Sequence, residues 1–223
     1  MAASAVFALA YFTFLRNLIA KGVYNKEIKA LKEASVGDEV YYGRFDTSNS
    51  TLGSDRLSWI VVKKDGNMVG LVTSRGIAGS SYNQKHEKVS WENSDLRRIL
   101  NSDKFTSMFS SYEAESIIPS DGDTISLLTA SEAAGYFATD ADRELAITEV
   151  AEAKGTNINI NSKANQWDMK GYRSSWWWLR GEPGVEDIYA PIVSVDGTIQ
   201  LNEKEVNRPY GAIRPYIQVR IKD

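Results

Sequence analysis

Apolar residues recur at three- to five-residue steps from Tyr11 to Ala34, with lysines and glutamates between them. This spacing predicts an amphipathic α-helix, because side chains three or four residues apart lie on one helix face. The pattern is carried by Leu15, Leu18, Ile19, Val23, Ile28 and Leu31. Ser35-Val-Gly-Asp38 then supplies a stop signal. We therefore predict a helix over residues 1–35 and a single globular domain over residues 36–223.

The start of this helix is uniformly uncharged up to Arg16. Fifteen residues make about 22 Å of helix, less than the roughly 30 Å hydrocarbon core of a bilayer. The run also lacks the basic start of a signal peptide. Three interpretations stay open: a short membrane anchor, a helix that packs against copies of itself, and a helix docked on its own domain. The first two are favoured, and the predicted contact residues are Val6, Phe7, Leu9, Phe12, Phe14 and Leu15.

Beyond residue 36 the apolar pattern changes to short segments separated by turn signals. Strands are predicted over residues 39–45, 58–63, 68–73, 123–128, 188–195, 198–201 and 213–221, and around Trp177. Ser94 and the Thr129-Ala-Ser-Glu132 capping box mark helix starts. Residues 138–170 form a polar excursion with one short helix near residues 143–153. Short mixed or antiparallel sheets with two or three inserted helices indicate an α+β fold.

Charge is unevenly distributed along the chain. The net charge is −3, yet residues 1–36 carry five basic and two acidic side chains, which leaves 21 basic and 27 acidic residues in the rest. An acidic body argues against a nucleic-acid partner, because phosphate binding needs a basic face. The chain has no cysteine, which excludes disulfides, thiolate zinc sites and a cysteine nucleophile.

Several motifs follow one another in a recognisable order. They are Trp91-Glu-Asn-Ser-Asp-Leu-Arg97, Leu127-Leu128 with Ser131-Glu132-Ala133, Trp177-Trp-Leu-Arg180 with Pro183-Gly184, and Arg214-Pro215. Over about residues 37–222 the chain resembles an uncharacterised bacterial domain family with the signatures WENS-LR-WLN, FLLS-EA, WWLRSPG and GVRPA. The C-terminal half also resembles the C-type-lectin-like fold of formylglycine-generating and retroelement-diversified proteins. This resemblance implies a fold and no established activity.

The consecutive Trp176, Trp177 and Trp178 cannot all face one side of a strand. At least one ring must therefore point into a second core or toward a ligand. An exposed ring, joined by Tyr189, would form a stacking platform for a sugar or peptide. The alternative is that these rings chiefly serve burial.

Arg180 and Glu182 complete the candidate ligand site, which comprises Trp176, Trp178, Arg180, Glu182 and Tyr189. Arg180 either holds an anionic group or pins loops through carbonyls or a buried carboxylate. Gly181-Glu182 stands where the resembled family usually has serine after Arg180, and this departure puts a carboxylate in the loop. Its loop is similar to the Glu-Pro-Asn calcium loop of sugar-binding lectins, but the accompanying Trp-Asn-Asp motif is missing. We predict no metal and no cofactor.

No catalytic residue is predicted either. His86, the only histidine, lies in the polar run Asn83-Gln-Lys-His-Glu-Lys88, and the chain has no Gly-x-Ser-x-Gly turn. The sequence therefore favours a non-catalytic recognition or structural domain, displayed outside the cytoplasm of a bacterium, with an unidentified protein or glycan ligand. The alternative is a subunit of a filament or oligomer assembled through residues 1–20, and membrane contact through this helix stays open. A carbohydrate-active protein is the third interpretation.

Overall fold

One long helix leads into a body of short strands and short helices. The computed structural model describes residues 2–47, 55–158 and 174–221, with the backbone alone for residues 2–10. The helices are α1 (Ala2–Glu33), α2 (Asp95–Leu100), α3 (Asp103–Thr106), α4 (Ser111–Ala114), α5 (Ala130–Tyr136), α6 (Asp140–Arg143) and α7 (Glu149–Ala153). The strands are β1 (Glu39–Phe45), β2 (Asp55–Asp65), β3 (Met68–Thr73), β4 (Ala78–Ser80), β5 (Ile117–Ile118), β6 (Leu145–Ala146), β7 (Ser174–Ser175), β8 (Trp177–Trp178), β9 (Tyr189–Val193), β10 (Ile199–Glu205), β11 (Gly211–Ile213) and β12 (Tyr216–Arg220). The α+β prediction, with its N-terminal helix, is confirmed.

The first sheet is antiparallel and has the strand order β1-β2-β3-β12-β5. Its centre is the predicted β2–β3 hairpin, which turns at Gly66 with a positive φ of 54°. β3 is buried on both faces: Leu71 belongs to one hydrophobic cluster, and Val72 belongs to a second. The first sheet therefore lies between two cores.

The second sheet is mixed, as predicted. Its order is β10-β9-β8-β11-β4, with β8 and β11 parallel and the other pairs antiparallel. β10 lies at one edge of this sheet, and the side chain of Leu201 on it is exposed. β6 and β7 pair separately.

Two strand predictions are wrong. Residues 123–128 form no strand, and Ser126 makes only an isolated bridge with Tyr216. The single strand predicted over residues 213–221 is two strands, because Arg214-Pro215 leads the chain from the second sheet into the first. Arg214 Nε donates to the Thr73 carbonyl at 3.0 Å. Pro215 has no backbone N–H with which to continue a ladder, so the strand ends there.

The helix predicted near residues 143–153 is also divided. α6 ends at Arg143, β6 follows, and α7 begins at Glu149. The rest of the predicted polar excursion, residues 159–170, lies outside the described residues.

All three consecutive tryptophans are buried. Trp176 is 8% exposed, and Trp177 and Trp178 are fully buried. Trp176 and Trp178 belong to the same core cluster, whereas Trp177 belongs to the other. The alternation expected of a strand therefore sends the odd ring into a second core, which was one of the two predicted outcomes.

The C-terminal part of α1 packs on the body. Ile28 and Leu31 are buried in the first core cluster, and the Tyr24 hydroxyl lies 2.7 Å from Ser116 Oγ. Lys64 Nζ donates to the carbonyls of Leu31, Lys32 and Ala34, and so caps the helix C-terminus. The predicted boundary after residue 35 thus follows a segment that contributes to the core.

Within the described ranges, no helix is both long and apolar enough to cross a membrane.

Candidate functional site

A cleft of about 200 Å³ opens between the loop after β8 and the β9–β10 hairpin. Three predicted ligand-site residues line it, namely Arg180, Glu182 and Tyr189. Tyr82 and Leu201 also line it. The structure therefore brings together residues from the Arg180 loop, both hairpin strands and the segment after β4.

The other two predicted ligand-site residues support the cleft from behind. Trp178 packs on Tyr82 with ring centroids 5.6 Å apart, and Trp176 meets Trp178 edge-to-face at 4.8 Å. Trp178 Nε1 donates to the Ser80 carbonyl at 2.9 Å. Neither tryptophan is among the lining residues: Trp178 supports the cleft through Tyr82, and Trp176 packs in turn on Trp178.

Arg180 is a buried wall of the cleft that also fastens neighbouring loops. Its Nη1 donates to Asp121 Oδ2 at 2.7 Å, and its Nη2 lies 3.9 Å from Glu132 Oε2. The backbone N–H of Arg180 donates to the Leu128 carbonyl. Its Nε is buried without a partner among the described residues. These contacts with Asp121 and Glu132 support the loop-pinning interpretation of Arg180.

Glu132 reaches Arg180 from a capped helix. Thr129 and Glu132 form the predicted capping box of α5, in which each side chain accepts from the other's backbone N–H. Asp121 approaches from the other direction and has a left-handed backbone, with φ of 51°. The sequence motif that starts α5 therefore also positions a carboxylate beside Arg180.

Tyr82 is the functional candidate that sequence reasoning missed. Its hydroxyl accepts a hydrogen bond from the Gly181 N–H at 3.1 Å and so fixes the start of the cleft loop. Burial raises the pKa of Tyr82, and the hydroxyl therefore keeps its proton. Because Tyr82 and Gly181 are 99 residues apart, no local sequence pattern signals this contact.

The rim of the cleft is acidic. Glu182 is exposed and Asp187 is half-buried, and neither has an ion-pair partner among the described side chains. Asp187 Oδ1 instead accepts from the Tyr189 N–H at 3.2 Å. Because Asp121 and Glu132 already balance the charge of Arg180, the two rim carboxylates leave the cleft with a negative potential.

The cleft loop is held from outside by Glu92. The Gly184 N–H donates to Glu92 Oε1 at 3.4 Å. A hydrogen bond with the Ser90 side chain, aided by backbone N–H groups, lowers the pKa of Glu92. The WENS motif therefore places an ionised carboxylate against the Pro183-Gly184 turn.

The predicted assembly residues lie on α1, which does not line the cleft. Phe12 and Phe14 are exposed there, and Leu15 is half-buried. The side chains of Val6, Phe7 and Leu9 fall outside the described part of the structure. Across the described residues, no group of three or more metal-ligating His, Asp or Glu side chains occurs.

A family model for a domain of unknown function, DUF6273, matches residues 59–221. The match runs from within β2 to the end of β12, and so includes the second sheet, the first sheet except β1 and the start of β2, and every cleft residue discussed above. No curated protein and no solved structure matches the chain.

Proposed function

The chain belongs to the DUF6273 family, a domain family of unknown function, and we propose that it is a non-catalytic recognition domain that binds its ligand in the cleft beside Arg180. The observation that carries the proposal is the convergence of Arg180, Glu182 and Tyr189 on one concave site. These residues lie on a loop and a hairpin whose bases are buried in the core. A site supported by buried side chains keeps the same geometry whether or not a ligand is bound.

The volume of the cleft limits what enters it. Pockets for whole small molecules measure roughly 300–1,000 Å³, whereas this cleft measures about 200 Å³. The ligand therefore inserts one group of a larger molecule, such as a single side chain or a terminal sugar ring.

The chemistry of the walls favours a protein segment with a basic side chain. Tyr82, Tyr189 and Leu201 supply surface for an aliphatic stem or a ring, while Glu182 and Asp187 supply negative charge at the rim. Lysine and arginine combine an apolar stem with a cationic end. A neutral glycan would use the tyrosines but would leave the rim charges without a partner.

The same proposal includes two further points. The domain is displayed outside the cytoplasm of a bacterium, and its second sheet has a C-type-lectin-like arrangement. The motif resemblance, with the Trp strand and the Gly-x-x-Arg-Pro segment in the expected order, supports a bacterial origin and the lectin-like arrangement. The buried Trp178 and the strand change at Arg214-Pro215 give these motifs structural roles.

The proposal is tested by binding of the full chain to two arrays, one of peptides and one of glycans. Peptides that carry lysine or arginine should be retained above matched peptides with glutamine at the same positions. Tyr189→Ser should abolish the retention, because Tyr189 is a partly exposed wall of the cleft. Selective retention of glycans would show that the ligand is a sugar and not a peptide. Retention that survives Tyr189→Ser would overturn the proposed site.

A further inference from the structure

The free half of α1 carries a continuous set of exposed apolar side chains. Tyr11, Phe12, Phe14, Leu18 and Ile19 are between 57% and 67% exposed, and Leu15 between them is half-buried. We call these six residues the apolar arc. Single exposed apolar residues are ordinary, but a contiguous patch of this kind marks an interaction surface.

Most of the apolar arc faces away from the body of its own chain, although Ile19, at the edge of the arc, also lines an open groove between α1 and residues 107–110. Successive helical residues are rotated by about 100°, so the six side chains span roughly 160° of the helix circumference. The residues that dock α1 on the body, Glu27, Ile28 and Leu31, lie roughly 180° from the centre of this span. A straight helix therefore cannot bury both faces on one body, and the arc needs an occupant from outside the chain.

We propose that the occupant is a second copy of this chain, and that copies assemble through the apolar arc. The spacing of the arc supports helix-to-helix packing. Tyr11, Phe14 and Leu18 follow steps of three and four residues, and Phe12, Leu15 and Ile19 repeat the same steps one position later. Alternating steps of three and four are the spacing of residues that interlock between helices. Two adjacent seams on one helix suit contact with more than one neighbouring helix.

The area of the arc is sufficient for association. An aromatic side chain presents about 150–250 Å², so the exposed fractions correspond to roughly 500–600 Å² per chain. Two such faces together clear the roughly 1,000 Å² expected of a specific interface.

Charge favours a second copy over a lipid surface. Residues 1–36 carry five basic and two acidic side chains, whereas the remainder of the chain holds 21 basic and 27 acidic residues. The basic helix of one copy therefore complements the acidic body of the next. An anionic membrane surface would attract the basic helix but repel the body, with its 27 acidic residues.

Sedimentation of the full chain over a range of concentrations tests the proposal. The wild type should form oligomers, and Phe14→Ser combined with Leu18→Ser should weaken association by at least about tenfold. At concentrations where the wild type is monomeric, the melting temperature should not change, because both side chains are exposed in the single chain. The matched control is Val36→Ser, which removes an exposed apolar side chain outside the arc and should leave the assembly intact. A wild-type monomer at every concentration, or a double variant that assembles normally, would overturn the proposal.

Disulfide cross-linking tests the contact between the arcs of two copies directly. The chain has no cysteine, so a single introduced cysteine reports only on its own surroundings. Leu15→Cys, near the middle of the arc, should form disulfide-linked dimers under mild oxidation. Asn17→Cys is also on α1 but points away from the arc, and it should stay monomeric. Equal cross-linking of both variants would contradict the proposal. So would arc-dependent flotation with vesicles of phosphatidylcholine and phosphatidylglycerol by a chain that does not self-associate.

Discussion

Gly211 lies directly against the indole of Trp178. A Cβ on residue 211 would stand 2.3 Å from Trp178 Nε1 and 2.5 Å from Trp176 Cη2, closer than real Cβ contacts. Both rings are buried, so neither can turn toward solvent to make room. The missing side chain at residue 211 therefore lets Trp176 and Trp178 pack edge-to-face beside β11 and support the cleft.

Gly211→Ala should consequently destabilise the protein. We expect a loss of about 1–3 kcal/mol in the free energy of unfolding, the usual cost of overpacking a core. Chemical denaturation monitored by tryptophan fluorescence measures it. Gly135→Ala is the matched control, because nothing lies within 4 Å of a Cβ at that helical position. It should be neutral or stabilising by up to about 1 kcal/mol. Equal stability of Gly211→Ala and the wild type would contradict the contact.

Arg214 should not tolerate replacement by lysine. Its guanidinium carbon lies 4.8 Å from the Phe137 ring centroid and 4.9 Å from that of Trp177, and the residue is 1% exposed. A planar guanidinium stacks between two rings, whereas a compact, strongly hydrated ammonium does not. We expect Arg214→Lys to lower the free energy of unfolding by about 2–3 kcal/mol. Arg208→Lys, on an exposed side chain, should change it by less than about 0.5 kcal/mol.

The sequence predicted correctly those strands and helix starts that depend on residues close together in the chain. β1 and β3 have the predicted bounds, because their apolar pattern and the Asp65-Gly66 turn are encoded within a few residues. Ser94 and Thr129 both cap helices as predicted, since an N-cap needs only its own first turn. Glu182 was predicted as a site residue because the chain departs from the motif there, whereas Arg180 matches the motif and was a candidate because a guanidinium can hold an anionic group.

Tertiary contacts determine what the sequence pattern could not reveal. Residues 213–221 look like one strand, but Arg214 is held by Thr73, and the chain changes sheets there. The partners of Arg180 and Tyr82 are 59 and 99 residues away in the chain. Trp177 lies in a separate core because of how the two sheets pack. A strand pattern alone does not show whether the ring that faces the other way enters a core or solvent.

Stability should fall as the pH rises, because of Glu27. Burial, together with the hydrogen bond and charge of Glu113, raises the pKa of Glu27 from 4.5 to about 8, against the opposing effect of Arg56. Between these two pKa values the folded state binds a proton that the unfolded state lacks. The stabilisation is thus fully present below about pH 4.5 and is lost as the pH rises through about 8.

Melting temperatures of Glu27→Gln and the wild type across this pH range test the assignment. The variant keeps a neutral side chain at every pH, so the decline attributed to Glu27 should disappear. Glu33→Gln is the control, since that carboxylate is exposed and its ion-pair partner among the described residues is Lys29, at 3.8 Å. The same decline in Glu27→Gln as in the wild type would assign it to another group.

The rim charge should govern ligand affinity. Glu182→Gln should weaken binding of a lysine-containing peptide retained by the wild type by about two- to fivefold, the effect of one exposed ion pair. The weakening should shrink at high salt, because exposed charges are screened. Fluorescence anisotropy of the labelled peptide measures both effects. Glu115→Gln removes an exposed carboxylate outside the cleft, and an equal loss there would show that only the net charge matters.

The two halves of α1 should differ in their importance for folding. Residues 11–20 are exposed or half-buried, whereas Ile28 and Leu31 belong to the core. Removal of residues 2–20 should therefore preserve the cooperative unfolding transition and abolish assembly. Removal of residues 2–31 should destabilise the body severely, because it deletes two core side chains and exposes the apolar surface of β1 that they cover. Circular dichroism melts of both truncations measure this. An unchanged melting temperature after the longer deletion would show that the body folds without α1.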